Sequence, residues 1–214
     1  MTLQNVLGLR YEFLANGSVK DVRVDPIRIN LKTATDFSKP GTNLYLRNRG
    51  EPFQFIPLLG AESNTLFKIT SQAFVGRGRW GDLDYLCVLQ LSRRSLSWQW
   101  SVEIKNRSGQ PMDLDLIYVQ DAGLKPVNAG LVNEYYVSQY LERRILEDQA
   151  FGAVACCRQN MREPTGHPWL MMACGNAAVA GSVDGIQFYG RTYRETGIPE
   201  GLLCSALEGE YAGE

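Results

Sequence analysis

The chain has 214 residues, 44% of them hydrophobic and 21% charged, which places it among globular proteins with enough apolar material for a substantial core and excludes disordered and collagen-like classes. A formal charge of −1 and a pI near 6.0 supply no cationic field of the kind that phosphate-backbone binding requires, so nucleic acid is not an expected partner. No uncharged apolar run approaches the roughly 20 residues of a membrane-spanning helix, and the N-terminal stretch has no basic segment leading into an apolar one, so neither membrane insertion nor secretion is signalled.

The first strong local signal is a hairpin between Leu7 and Asn30. Leu9 to Leu14 form one arm, Asn16-Gly17 is the turn, and Val19, Val22, Val24, Ile27 and Ile29 follow in near-alternation. Further strands are predicted at Asn43 to Arg47, closed by Asn48-Arg49-Gly50, and through Phe53, Phe55 and Ile56. Extended runs then follow at Leu66 through Val75, Leu83 to Leu91, Ser97 to Lys105 and Met112 to Val119. Gly76-Arg77-Gly78-Arg79 and Asn106 to Pro111 are read as turns between them. The segment from Asn133 to Gln149 has Tyr136, Tyr140, Leu141, Ile145 and Leu146 at partly helical spacing; two strands are the alternative, because Tyr135, Tyr136, Val137 and Tyr140 favour sheet. Phe151 to Cys157, Pro168 to Cys174 and Ala178 to Tyr189 read as strands, and residues 208–214 offer no terminating element. Many strands at hairpin spacing predict an all-β, antiparallel sandwich with at most one or two short helices. The absence of a repeat or linker predicts a single domain over residues 1–214.

Chemistry-bearing residues are sparse. Cys87, Cys156, Cys157, Cys174 and Cys204 have no metal-type spacing, and an odd count fits a reducing cytoplasm; they read as small apolar side chains. Cys156 and Cys157 are adjacent and on a strand point to opposite faces. His167 is the one histidine and sits in a turn-like context, so no multi-histidine metal centre is expected, and neither a metal nor a cofactor is implied. Asp82 with Asp84, and Asp113 with Asp115, are the carboxylate pairs that glycoside chemistry would need, although both lie among turn residues where a solvated face explains them. Asn16 and Asn106, in Asn-x-Ser contexts, read as turn residues. Arg77, Arg79 and Trp80 are the candidate carbohydrate-binding residues: guanidinium forks donate to oxygen-rich ligands, and an indole face stacks on a sugar ring. Trp98 and Trp100 share a strand face and read as core, with a sugar platform as the alternative.

Several stretches together resemble the N-terminal region of bacterial 1,2-β-oligoglucan phosphorylases, grouped with the cellobiose phosphorylases in glycoside hydrolase family 94. They are Tyr11-Glu12-Phe13 through Asn16-Gly17-Ser18, Tyr118 to Lys125, Asn133 to Tyr140, Arg158-Gln159-Asn160 and Ala180 to Gly185. The resemblance implies a large β-sandwich of the galactose-mutarotase (supersandwich) type, followed in the complete enzyme by a helical linker and an (α/α)6 barrel that carries the general acid and the phosphate site. It further implies reversible phosphorolysis of β-1,2-glucooligosaccharides to glucose 1-phosphate by the whole enzyme, and scaffolding by this portion, with no catalytic residue of its own. The implied partners are the barrel, a carbohydrate ligand and a second copy in a homodimer. A free-standing carbohydrate-binding sandwich and a sugar epimerase are the competing readings.

Overall fold

The structure, a computed structural model, describes residues 1–132, 134–163, 166–175 and 180–204; the tail over 208–214 and the first residues of the strand expected from Ala178 lie outside them. The chain divides into two compact units, Met1–Asp121 and Ala122–Glu214. It is mainly β, and its strands are arranged in four sheets with antiparallel pairing, as the hairpin spacing predicts.

In the first unit β1 (Thr2–Gln4), β2 (Leu9–Phe13), β3 (Val19–Val24) and β4 (Ile27–Arg28) lie side by side in chain order. The β2–β3 turn is the one expected at Asn16-Gly17. Gly17 has φ +81°, Asn16 Oδ1 accepts from the Ser18 N–H at 2.9 Å, and the Gly17 N–H donates to Leu14 O at 3.2 Å. Next come β5 (Asn43–Asn48) and β6 (Gln54–Pro57), then the meander β7 (Leu66–Ile69), β8 (Ala73–Trp80), β9 (Leu83–Leu91) and β10 (Trp98–Asn106). β11 (Leu114–Val119) returns to pair with the far side of β5.

One face of the meander is apolar and forms the floor of the core. Leu83, Tyr85 and Cys87 of β9 bury against Leu44, Leu46, Ile56 and Leu58, with Trp80, Trp100, Val102 and Tyr118 packed at the margin. The Phe13 ring stacks on Phe74 at 4.9 Å, and Tyr11 meets Trp98 edge-on at 5.5 Å. Side chains from β2, β5 and β6 therefore cover a single face of β7–β10, which is a sandwich, and each fully buried aromatic contributes about 1.5–3 kcal/mol. Trp98 and Trp100 belong to this core; Trp100 packs edge-on against Phe74 at 5.7 Å.

The expected turn at Gly76-Arg77-Gly78-Arg79 is instead the interior of β8, and the run expected from Leu66 through Val75 is broken by a turn at residues 70–72. The glycines serve close approach. A Cβ on Gly76 would lie 2.7 Å from Thr65 Cγ2, and one on Gly78 would lie 2.2 Å from Tyr85 Oη and 2.7 Å from the Asn64 carbonyl oxygen. The chain reverses at Gly81, φ +55°, one residue beyond Trp80.

The second unit contains β12 (Lys125–Pro126), α1 (Val127–Val132), α2 (Glu134–Gln139), and a meander of β13 (Leu141–Asp148), β14 (Gly152–Gln159) and β15 (Trp169–Met172). α3 (Gly185–Tyr189), α4 (Tyr193–Thr196) and a 3-10 turn over Glu200–Leu203 follow. Among the described residues the α-helices are four segments of four to six residues, short as expected but more than the one or two expected. Asn133 lies outside the described residues, and the rest of the stretch expected to run to Gln149 divides between its two alternatives: helix over Glu134–Gln139, then a strand whose residues from Leu141 to Asp148 pair with Gln159 to Gly152. Asp148 Oδ1 closes the β13–β14 turn by accepting from the Ala150 N–H at 2.8 Å and the Phe151 N–H at 3.1 Å. The strand expected to reach Tyr189 is corrected at its end to α3. Asp184 Oδ1 caps that helix by accepting from the Gln187 N–H at 2.9 Å, and Gly190, φ 71°, ends it.

Gln159 is the polar centre of this unit. It is fully buried; its carboxamide donates to Gly123 O at 3.2 Å and Val137 O at 3.3 Å, and accepts from the Met161 N–H at 3.1 Å. Nearby in sequence, Lys125 and Glu163 form a buried ion pair.

Candidate functional site

Strand alternation separates the three candidate residues. Gly76, Gly78 and Trp80 share the inward face of β8, whereas Arg77 and Arg79 project from the outward face and are exposed. Arg79 Nε donates to Gly81 O at 2.8 Å, and its guanidinium lies 3.6 Å from Asp82 and 3.9 Å from Asp84. It thereby braces the turn that carries Trp80. Among the described residues Arg77 has no ion-pair partner, and it belongs to a different surface.

Trp80 borders an open depression of about 380 Å³ that Asn48, Gln54, Asp82, Ser108, Gln110 and Met112 also line. Three chain reversals meet there: β5 ends at Asn48 and β6 starts at Gln54, β8 ends at Trp80 and β9 starts at Leu83, and β10 ends at Asn106. Asn48 Oδ1 accepts from the Gly50 N–H at 3.1 Å, and the Ser108 hydroxyl is held by Asn106 Oδ1 at 2.7 Å, so both turns are fixed by their own side chains. Among the described residues the carboxamides of Gln54 and Gln110 make no hydrogen bond within the chain, and each retains both donors and an acceptor. Beside the depression, Arg107 Nε donates to Asp84 Oδ2 at 2.7 Å. With Arg79 and Asp82 this makes a locally neutral group of charges. The lining suits an uncharged, hydroxyl-rich molecule better than an anion.

The carboxylate pairs are tied to guanidinium groups. Asp115 Oδ2 accepts from Arg47 Nε at 2.9 Å and Nη2 at 2.6 Å, Arg47 being buried, and Asp113 lies 3.8 Å from Arg49. His167 is exposed and its Nδ1 donates to Gln159 O at 3.1 Å; among the described residues no ion pair joins it to a carboxylate, so they assemble no histidine–carboxylate couple for epimerase chemistry. Among the described residues no cluster of His, Cys, Asp and Glu could hold a metal ion, and no helix is long and apolar enough to cross a membrane.

No disulfide joins cysteines among the described residues. Cys87 and Cys157 are buried, as small apolar side chains would be, while Cys174 and Cys204 are exposed. Burial pushes the Cys87 thiol up to about 12. An aromatic disulfide reagent at mildly alkaline pH is therefore expected to label Cys174 and Cys204 first and Cys87 only after unfolding. Rapid labelling of Cys87 in the folded chain would contradict this packing.

From their own sequence context Trp80 and the neighbouring arginines stand out as candidate binding residues. Asn48, Gln54, Ser108 and Gln110 are joined to Trp80 by strand register, and the available signal was the pair of turns at residues 48–50 and 106–111. A 1,2-beta-oligoglucan phosphorylase from Listeria innocua serovar 6a (strain ATCC BAA-680 / CLIP 11262) is 25% identical over 185 residues, covering 86% of this chain. The matched segment is 16% of that relative's length. The family described as the SOGP N-terminal domain matches residues 12–212, nearly the full length, and the chain belongs to that family.

Proposed function

We propose that this chain is the non-catalytic N-terminal β-sandwich of a glycoside phosphorylase, a single functional module that contacts carbohydrate in the depression beside Trp80. The observation that carries the sugar contact is the lining itself: an indole among uncharged carboxamides and a hydroxyl, with adjacent charges neutralised in pairs. Trp80 supplies the stacking surface, Gln54 and Gln110 the hydrogen bonds, and Arg79 positions the turn. Arg77 offers a separate contact on the outward face.

The phosphorylase assignment rests on likeness to the Listeria protein and on the family-94 resemblance. In the complete enzyme, phosphate attacks the anomeric carbon of a β-1,2-glucooligosaccharide, glucose 1-phosphate forms, and a carboxylic acid protonates the departing oxygen. Those groups are assigned to an (α/α)6 barrel, the proposed partner of this domain, because the candidate carboxylates here serve ion pairs. A cytoplasmic setting fits cysteines that form no disulfide among the described residues.

Calorimetric titration of the 214-residue chain with β-1,2-glucooligosaccharides is expected to give saturable heat in the millimolar range, about −4 kcal/mol in free energy. Trp80→Ala and Gln110→Ala should each weaken it severalfold, with no glucose 1-phosphate formed by either parent or variants. Heat that ignores both substitutions removes the depression from the reading, and turnover by the chain alone overturns the non-catalytic assignment.

A further inference from the structure

One side chain ties two turns of the first unit together. Asn5, between β1 and β2, donates through Nδ2 to Ser92 O at 2.7 Å and Ser95 O at 3.1 Å in the β9–β10 turn. Its Oδ1 accepts from the Leu7 N–H at 3.0 Å and the Leu9 N–H at 2.9 Å, and the Gly8 N–H donates to Asn5 O at 3.2 Å. In the β9–β10 turn the Ser92 N–H donates to Ser97 O at 2.9 Å and the Arg94 N–H to Ser92 Oγ at 3.1 Å. The Ser95 hydroxyl lies 2.9 Å from that of Ser92 and 2.7 Å from that of Ser97. These polar groups are spent on one another, and the side chains that face solvent are apolar or cationic. Val6 is 85% exposed, Leu96 53% and Leu7 48%. Arg93 and Arg94 are exposed and have no ion-pair partner among the described residues. On the adjoining β3–β4 turn Asp25 is 3.6 Å from Arg23, and the β7–β8 turn, Thr70-Ser71-Gln72, is uncharged.

We propose that this tip is a docking surface for an anionic lipid membrane, with Val6, Leu7 and Leu96 entering the headgroup boundary and Arg93 and Arg94 on lipid phosphates. Taking a turn out of water is costly where its polar groups lose their partners, and here the hydrogen bonds within and between the two turns stay in place. The aliphatic side chains stand at the apices of turns, a convex shape that a lipid surface accommodates and that a protein could receive only in a matching recess. The guanidinium forks supply the electrostatic half of the attraction, since headgroup phosphates accept from them and the negative surface potential favours cations. The contact is peripheral and leaves the Trp80 depression uncovered. The β9–β10 ladder pairs Trp98 with Leu91 at the docking end and Asn106 with Leu83 at the other, where that depression opens. The inference is independent of the sugar-binding reading.

Vesicles of equal parts phosphatidylglycerol and phosphatidylcholine should sediment the 214-residue chain at low ionic strength, half-saturating at about millimolar lipid, and vesicles of phosphatidylcholine alone should not. Each cation near an anionic surface is worth roughly fivefold in partitioning. Arg93→Gln with Arg94→Gln should therefore weaken binding about twentyfold, while Arg93→Lys with Arg94→Lys holds it within about twofold. Leu96→Ser should weaken it about fivefold through lost apolar burial. Excess glycerol phosphate should leave the chain on the vesicles, because a free headgroup offers no apolar boundary. The substituted positions are exposed, so unchanged thermal unfolding of the variants separates these effects from misfolding. A chain that stays in the supernatant at roughly ten times that lipid concentration overturns the proposal, as does equal sedimentation with neutral vesicles. Binding that falls with the arginines, ignores Leu96→Ser and is competed by polyglutamate overturns it in favour of an acidic protein partner, and displacement by glycerol phosphate overturns it in favour of a free-phosphate site.

Discussion

Gly78→Val is expected to lower the stability of the first unit by about 3 kcal/mol, because its Cβ would enter space held by backbone and by a ring that cannot withdraw. The Cβ of residue 78 would lie 2.3 Å from Tyr85 Cζ and 2.7 Å from the Asn64 carbonyl oxygen. Tyr85 is held in turn: it is 3% exposed and its hydroxyl is 2.9 Å from Thr65 Oγ1. The collision therefore has to be relieved by separating β8 from β9, which run side by side from Trp80–Leu83 to Ala73–Gln90. Thermal unfolding followed by near-ultraviolet circular dichroism should show a midpoint lower by roughly 10 °C. Gly175→Ala is the matched control: a Cβ there meets nothing within 4 Å, and its change should stay within about 0.5 kcal/mol. A Gly78→Val chain that unfolds with the parent would show that β8 and β9 are not in this close contact.

The same glycines show where the sequence can and cannot be read. Asn16-Gly17 was legible because its turn needs only local chemistry, a positive φ and an asparagine oxygen that accepts from the chain two residues on. Gly76 and Gly78 look identical in the sequence, but their requirement is set by Tyr85 and Thr65, which only pairing brings near. Reading them as a turn put Arg77, Arg79 and Trp80 on one loop; in the strand, alternation sends Trp80 to the opposite face from the arginines. β9 was legible as an extended run, and it spans the expected Leu83–Leu91. The amides around Trp80 follow no local period, since Asn48 and Gln54 flank the β5–β6 turn while Gln110 lies on the link from β10 to β11, strands of different sheets. In the second unit the helix ends at Gln139, and cross-strand pairing with β14 overrides the helix reading from Leu141 onward.

Glu163→Ala is expected to destabilise the second unit by about 3–5 kcal/mol, because it strands Lys125 in the interior. The lysine and glutamate side chains are 10% and 8% exposed, so neither charge recovers full hydration when the other is removed. The loss spreads through backbone that depends on the pair. Leu124, 2% exposed, is held at φ 53°, a left-handed conformation that a branched side chain adopts only when its surroundings impose it. Those surroundings are Gly123, whose carbonyl accepts from the Gln159 carboxamide, and Lys125, fixed by Glu163. Glu163 also exchanges reciprocal backbone bonds with Gly166, at 2.8 and 2.9 Å. Freeing Lys125 should let Leu124 relax, loosen Gln159 and raise hydrogen exchange along β14 ahead of β8 and β9. Replacing both partners, Lys125→Met with Glu163→Leu, removes the stranded charge along with the pair and should recover most of the lost stability, which denaturant midpoints of the parent, single and double variants measure. A Glu163→Ala chain within about 1 kcal/mol of the parent would mean that the pair is solvated, and Leu124 would then need another source of constraint.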